Sequence, residues 1–174
     1  MIIGEEEIPN ERALLTQEDG PMMASSTSVK YIVIHCSATR STRDYTAEQL
    51  LRDHKTRGFR TVGYHFYIRK NGDIKTTREI ERIGAHAKGH NQNSIGICYE
   101  GGLDCHGHPA DTRTEWQIHS MRVLILALLR DYPGCRVCGH RDLSPDLNGN
   151  GEIEPEEWIK ACPCFEVKEF CSKM

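Results

Sequence analysis

The sequence lacks a long apolar run, an excess of basic residues and a recognisable export signal. No stretch approaches the roughly 20 apolar residues that cross a bilayer, and the N-terminus has neither a basic start nor a long apolar centre. Asp and Glu outnumber Lys and Arg by 25 to 22, whereas a nucleic-acid surface needs clustered positive charge. We therefore expect no membrane partner, no nucleic-acid partner and synthesis in the cytoplasm without a signal peptide.

The composition is that of one globular domain. Of the 174 residues, 38% are hydrophobic and 27% are charged, which is enough to bury a core. The sequence shows no internal repeat and no boundary of a second domain. Residues 1–29 mix acids, prolines and a Ser/Thr cluster, which predicts a flexible tail with at most a short helix around Glu11 to Leu15. The domain is predicted to span residues 30–174.

The eight cysteines have two readings. An even number fits a disulfide framework, but the chain is long for a small stapled scaffold and has no export signal. Reduced cysteines buried as small hydrophobic residues are the favoured interpretation. Cys36 and Cys98, which lie in apolar runs typical of strands, fit it well.

Strand-like runs and capped helices alternate along the domain. Thr46 and Thr114 are each followed three residues later by glutamine, which is a capping-box pattern, and Asn71-Gly72 predicts a tight hairpin. The apolar segment 123–129 predicts that the second helix packs deep against a sheet. Strands are predicted at residues 31–36, 62–68, 74–77, 94–99 and 136–139. This order indicates an α/β domain with a mixed central β-sheet flanked by helices.

Two histidines and one cysteine are candidate metal ligands. His35 and His140 each follow a run of strand residues, and Cys162 lies further along, at the predicted end of a helix. Two imidazoles and a thiolate suit Zn²⁺, and a three-ligand set leaves a fourth position open, as in catalytic zinc sites. Three alternatives remain: ordinary residues at strand ends, Cys164 as the sulfur ligand, or a closed site of four cysteines (Cys135, Cys138, Cys162 and Cys164).

Six short segments occur in an order that resembles one known family. They are Ile-His-Cys-Ser-Ala-Thr at 34–39, Gly-Tyr-His-Phe at 63–66, Gly-Ala-His-Ala-Lys-Gly-His-Asn at 84–91, Asn-Ser-Ile-Gly-Ile at 93–97, Gly-His-Arg-Asp at 139–142 and Lys-Ala-Cys-Pro at 160–163. The chain resembles the zinc-dependent N-acetylmuramoyl-L-alanine amidases, a family that includes phage lysozyme-type endolysins and peptidoglycan recognition proteins. The resemblance covers about residues 30–171 and implies a single-domain type 2 amidase fold.

The resemblance also implies roles for individual residues. It implies zinc ligands at His35, His140 and Cys162, catalytic residues at Tyr64 and Lys160, and substrate-binding residues at His86, His90 and Asn91. Such a zinc site would activate water and polarise the scissile carbonyl. Lys160 could stabilise the developing oxyanion and Tyr64 could orient the water or relay its proton. In the alternative interpretation, these two are a strand tyrosine and a solvated lysine.

The segment between His140 and Cys162 is longer than in many members of the family. It matches the Ca²⁺-loop pattern D-x-[DN]-x-[DN]-G with a glutamate five residues further on. The predicted calcium ligands are Asp146, Asn148, Asn150 and Glu157 through side chains and Glu152 through its carbonyl. We expect a calcium-ordered loop at 146–157 to fix a helix that carries Lys160 and Cys162. The alternative is an acidic surface turn with Asx caps.

The resemblance implies hydrolysis of the amide between N-acetylmuramic acid and L-alanine in peptidoglycan. The alternative is a noncatalytic module that recognises muropeptides, although noncatalytic relatives typically lack the cysteine ligand that Cys162 supplies. A partner-binding regulator is a third hypothesis, because some phage relatives also bind a polymerase. We expect a monomer that reaches the cell wall after release from the cytoplasm or by a non-classical route.

Overall fold

A five-stranded sheet forms the centre of the computed structural model, which describes residues 20–174. Its strands are β1 (Tyr31–Cys36), β3 (Phe66–Ile68), β4 (Ile74–Thr76), β5 (Ser94–Tyr99) and β7 (Arg136–Gly139). Their order across the sheet is β4-β3-β5-β1-β7. Only β4 runs antiparallel to its neighbour. The short strands β2 (Thr39–Arg40) and β6 (Gly102–Leu103) form a separate pair. The mixed central sheet predicted from the sequence is thus confirmed.

Strand β1 lies between two parallel neighbours and is covered on both faces. Ile32, Val33 and Ile34 have no exposed surface, which explains why the sequence shows a continuous apolar run there instead of an alternating one. The run ends at His35 and Cys36, so these two side chains lie at the carboxyl edge of the sheet.

Helices cover both faces of the sheet: α1 (Ala47–Thr56), α2 (Glu115–Asp131) and α3 (Val167–Ser172). Both predicted capping boxes are present, at Thr46 and at Thr114. Helices α2 and α3 share one apolar cluster, whereas α1 joins a second one. The expectation that α2 packs deep holds for one side only, because Trp116, Val123 and Leu126 are 69%, 51% and 53% exposed. None of the described helices is both long and apolar enough to span a membrane.

Residues 20–29 lie against the domain, although the sequence suggests that they belong to a tail. Met22 forms a β-bridge with Arg82, the Arg82 guanidinium donates to the Gly20 carbonyl at 2.7 Å, and Val29 is buried in the main core. The possible short helix around Glu11 to Leu15 lies outside the described residues.

The predicted helix that carries Lys160 and Cys162 is wrong. Only a 3-10 turn, Pro155–Glu157, forms there. Beyond it, the Ile159 N–H donates to the Ser144 hydroxyl at 3.1 Å instead of to its own segment. The residue before Pro163 is also disfavoured in the helical conformation. The segment therefore reaches the site as irregular chain.

The buried carboxylate of Glu100 forms an ion pair with Arg69. The Glu100 carboxylate accepts hydrogen bonds from the Arg69 side chain at 2.7 Å and from the N–H groups of Tyr45 and Lys70. Burial alone would raise the pKa of Glu100, but these bonds lower it below its usual 4.5. A lowered pKa in the folded state means that the stabilisation is present above about pH 4.5 and is lost as pH falls through the folded-state value.

We therefore expect Glu100→Gln to lower the free energy of unfolding by about 1.5–3 kcal/mol at pH 7. The difference from wild type should shrink as the pH falls from 4.5 through the folded-state pKa, because the wild-type carboxyl then becomes protonated as well. Urea unfolding of both proteins at pH 7 and at a series of lower pH values measures it. A difference that stays constant across the series would contradict the assignment.

Candidate active site and metal centre

The three predicted metal ligands meet at the carboxyl edge of the sheet. His35 ends β1, His140 directly follows the parallel neighbour β7, and Cys162 lies in the irregular segment that returns to this edge. One ligand atom from each residue lies within 4.8 Å of the others. The Nδ1 atom of His35 is 3.8 Å from the Cys162 sulfur, and the ring centroids of His35 and His140 are 4.6 Å apart. Parallel strands thus bring together residues that are distant in sequence.

The chemistry of this donor set fits zinc. Burial, together with the neighbouring His86, His140 and Lys160, lowers the pKa of His35 well below its usual value. Burial and the Lys160 charge lower the pKa of His140 as well. Both imidazoles are therefore neutral, which is the form that binds a metal. Within the described part of the chain, His35, His140 and Cys162 are the residues whose ligand atoms lie close enough together to hold a metal ion.

Two backbone N–H groups hold Cys162, one at the end of β1 and one in the 3-10 turn after β7. Its sulfur accepts the Cys36 N–H at 3.3 Å, and its carbonyl accepts the Arg141 N–H at 2.9 Å. Cys36 follows one histidine ligand in the chain and Arg141 follows the other. The segment is therefore attached beside both of them, which explains how irregular chain can hold a ligand in place.

His86 lies against His35 in the protein interior. Its Nδ1 atom is 2.9 Å from His35 Nε2, and its Nε2 atom is 3.3 Å from the Ser94 hydroxyl. If His35 binds a metal through Nδ1, which faces Cys162, its Nε2 carries the proton and donates to His86. A Cβ atom on Gly84 or Gly96 would come within 2.5 or 2.7 Å of the His86 ring. The two glycines therefore make room for a histidine that orients a metal ligand.

This orienting role differs from the substrate contact that the resemblance implies for His86. Its burial at 8% exposure favours support of His35, while contact with substrate stays a prediction. In the sequence, this role is indicated by His86 together with glycines at 84 and 96. The indication can be recognised only when it is known which strands are neighbours in the sheet.

Replacing His86 by alanine should weaken zinc binding about 10–100-fold, because the outer hydrogen bond that orients His35 is lost. Competition with a chelator of known affinity measures the change, and circular dichroism shows whether the variant is folded. Ser94→Ala, which removes the next bond in the chain, should have a smaller effect in the same direction. Unchanged affinity in folded His86→Ala would contradict the orienting role.

Tyr64 and Lys160 line the same cavity of about 250 Å³ as the three ligands. The Tyr64 ring lies 5.0 Å from the His35 ring, and desolvation raises the pKa of its phenol well above the usual value. Tyr64 is therefore a hydrogen-bond donor at neutral pH. Lys160 also lines a neighbouring cavity of about 550 Å³, so it lies where the two cavities join.

The predicted substrate residues His90 and Asn91 line the larger cavity. The Asn91 side-chain oxygen accepts the N–H groups of His86 and Ala87, at 2.9 and 2.8 Å, so it also holds this loop in shape. The His90 ring packs edge-on against Tyr31 at 5.5 Å. Substrate contact by these two residues stays a prediction.

His54 lines the metal cavity, although no role was predicted for it from the sequence. It lies on α1, is 2% exposed, and lines the metal cavity together with Arg57 and Phe59. Its Nδ1 atom accepts the Gly63 N–H at 2.9 Å, and burial followed by the Arg57 charge lowers its pKa to about 4. The feature of the sequence that could have indicated His54 is a histidine on the apolar face of a short helix.

The loop at 146–157 uses its side chains on its own backbone. Asp146 accepts the N–H groups of Gly149 and Gly151 at 2.6 and 2.8 Å, and the Glu157 carboxylate accepts that of Leu147 at 2.7 Å. Asn148 and Asn150 make similar bonds within the loop. These contacts are those of an acidic turn with Asx caps, and no observation supports calcium at the predicted ligands, which include the Glu152 carbonyl.

The four-cysteine alternative is not assembled in the described structure. The Cys135 thiol donates to the Val29 carbonyl at 3.3 Å, and Cys138 is buried in β7, so both belong to the core. The metal group takes its sulfur from Cys162 and not from Cys164. All eight cysteines are free thiols.

Comparison with known proteins identifies relatives of this architecture. The family described as N-acetylmuramoyl-L-alanine amidase matches residues 25–157. The endolysin of Klebsiella phage KP32 is 35% identical over 142 residues, which cover 82% of this chain and 85% of that protein. Because the family match ends before Lys160 and Cys162, the place of those two residues in the site rests on geometry.

Two solved structures are similar in fold. The endolysin amidase LysCS of Clostridium intestinale is 25% identical with a TM-score of 0.67, over 89% of this chain and 88% of that one. The complex of peptidoglycan recognition proteins LCa and LCx with tracheal cytotoxin is 21% identical with a TM-score of 0.64, over 90% and 88%. At 21% identity, this second comparison establishes similarity of fold and nothing about function. The family match and the similarity to the phage endolysin show that this chain belongs to the N-acetylmuramoyl-L-alanine amidase family.

Proposed function

We propose that this chain hydrolyses the amide bond between N-acetylmuramic acid and L-alanine in peptidoglycan, with zinc held by His35, His140 and Cys162. The observation that carries the proposal is the convergence of these three ligand atoms within 4.8 Å in a cavity that Tyr64 and Lys160 also line. Family membership supports an amidase that acts on peptidoglycan.

Three protein ligands would leave a fourth coordination position of zinc open for a reactant. When bound, zinc supplies a Lewis acid that brings the pKa of water to about 7 and polarises a carbonyl group. The protein contributes neutral imidazoles, a fixed sulfur and the bond from His35 to His86 that holds one imidazole in the required tautomer. These features prepare the site before the substrate arrives.

Lys160 places a positive charge where negative charge develops in amide hydrolysis. Its ammonium group lies close enough to both histidine ligands to lower their pKa values. The Lys160 ammonium group would stabilise negative charge that develops on the scissile carbonyl oxygen. Lys160 is exposed and lines the larger cavity, so it can approach a substrate bound there.

Tyr64 supplies a hydroxyl group that stays protonated. Its raised pKa rules it out as a base in its resting state and makes it a donor that can orient the attacking water or pass a proton towards the leaving amine. The His35 and His54 rings, at 5.0 and 5.5 Å, hold the phenol ring in place.

The larger cavity gives the substrate a place to bind. It shares His140, Lys160 and Phe59 with the metal cavity and adds the apolar side chains of Leu143 and Ile159. A muramyl group there would bring its amide bond to the boundary between the two cavities. The apolar surface suits a sugar ring, and the polar groups at the junction suit the scissile amide.

A noncatalytic recognition module is the second candidate. The structure of LCa and LCx with tracheal cytotoxin shows that this fold also occurs in recognition proteins. The presence of Cys162 within ligand distance of both histidines favours the enzyme, because a binding module has no need of a complete metal set.

Incubation of zinc-loaded protein with purified sacculi tests the function. We expect mass spectrometry to detect released stem peptides that begin with L-alanine. Tight binding to sacculi without release would support the recognition module instead. Shortened glycan strands would indicate a glycosidase and would contradict the proposal.

A further inference from the structure

A second pair of thiols lies directly beside the metal centre. The sulfur atoms of Cys36 and Cys164 are 3.9 Å apart. Cys36 ends β1 and is 5% exposed, whereas Cys164 is half-buried on the irregular segment. Neither thiol is part of the metal group, and the proposed hydrolysis uses neither. Two thiols at this distance are close enough to react with each other.

The side chains of Cys36 and His35 leave β1 on opposite faces, although Cys36 also borders the metal cavity. Successive strand residues point to opposite faces, so His35 faces the metal cavity while the Cys36 side chain packs in the main core with Ile34. Cys36 contacts the ligand sulfur of Cys162 through its backbone N–H, at 3.3 Å. The Cys162 sulfur in turn lies 3.8 Å from His35 Nδ1.

We propose that Cys36 and Cys164 form an intramolecular disulfide on exposure to a low-molecular-weight disulfide, while Cys162 stays available to zinc. A disulfide needs a sulfur–sulfur distance of about 2.05 Å, so the two atoms must approach by roughly 2 Å, a movement within reach of side-chain rotation. The bond would tie the end of β1 to the segment that carries Cys162. The role of Cys162 rests on the proposed function, but the thiol pair does not.

The reaction balances with the reagent disulfide as the oxidant. The more accessible Cys164 sulfur attacks the reagent, forms a mixed disulfide and releases one small thiol. The Cys36 sulfur then attacks the Cys164 sulfur, closes the internal disulfide and releases the second small thiol. Two protein thiols are oxidised, one reagent disulfide is reduced to two thiols, and the two protons pass to the released thiols.

Disulfide mapping tests the proposal. Cys105 is exposed, so the experiment uses Cys105→Ser protein to prevent links between chains. Zinc-loaded protein is treated with oxidised glutathione, free thiols are alkylated, and peptides are analysed by mass spectrometry with zinc content measured in parallel. We expect a linked peptide pair containing Cys36 and Cys164, with zinc retained. The matched variant Cys164→Ser should keep its zinc and give no internal link.

Three results would overturn the proposal: no linked peptide, a link that includes Cys162, or loss of zinc on oxidation. A protein that binds no zinc and still forms the link between Cys36 and Cys164 would refute the proposed metal site and support the thiol pair. The two proposals therefore fail in different ways.

Discussion

Replacing Lys160 by alanine should lower turnover about 10²–10³-fold while zinc stays bound, which is the usual cost of removing one donor to a developing oxyanion. Lys160 lines both cavities and is exposed, so its loss neither opens the core nor removes a ligand. The zinc content should stay equal to that of wild type. The effect should appear in kcat more than in KM, because the interaction forms in the transition state.

Lys168→Ala is the matched control, since Lys168 is an exposed lysine on α3 outside both cavities. Turnover is measured as release of stem peptides from sacculi, with zinc content measured on the same samples. Wild-type turnover in Lys160→Ala, or an equal loss in Lys168→Ala, would contradict the role of the Lys160 charge.

Tyr64→Phe should lower turnover by about 10²–10⁴-fold, the range typical for loss of a positioned proton donor or acceptor. The substitution removes only the hydroxyl group. The ring keeps its contacts with His35 and His54, so the fold and the zinc content should not change.

Tyr67→Phe provides the matched control for this variant. Its hydroxyl donates to the Tyr45 carbonyl at 2.6 Å, and Tyr67 itself does not line the metal cavity. Its removal should therefore lower the free energy of unfolding by about 1 kcal/mol and leave turnover unchanged. Similar turnover losses in both variants would show that tyrosine hydroxyls act here through stability alone, and the proposed role of Tyr64 would fail.

The features predicted best from the sequence are those determined by neighbouring residues. The apolar run of β1 and the capping boxes at Thr46 and Thr114 are local patterns, and each forms the expected element. His35 and His140 could be placed at strand ends for the same reason. That they meet Cys162 depends on which strands are neighbours, and the spacing of the three residues carries no such information.

The features that were missed depend on contacts across the fold. The Ser144 hydroxyl binds the Ile159 N–H and so redirects a segment that looked helical from its own residues. Arg82 holds the Gly20 carbonyl, which attaches part of the presumed tail. The pairing of His86 with His35 requires a loop residue to pack against residues of β1 and β5, and no local pattern encodes it.

The zinc content of Cys162→Ser is the most direct test of the central claim. Wild type, Cys162→Ser and Cys164→Ser are purified with zinc, dialysed against a weak chelator and measured for metal by mass spectrometry. We predict one zinc per chain in wild type and in Cys164→Ser, and much less than one in Cys162→Ser. Full zinc content in folded Cys162→Ser, or its loss in Cys164→Ser, would contradict the ligand set of His35, His140 and Cys162.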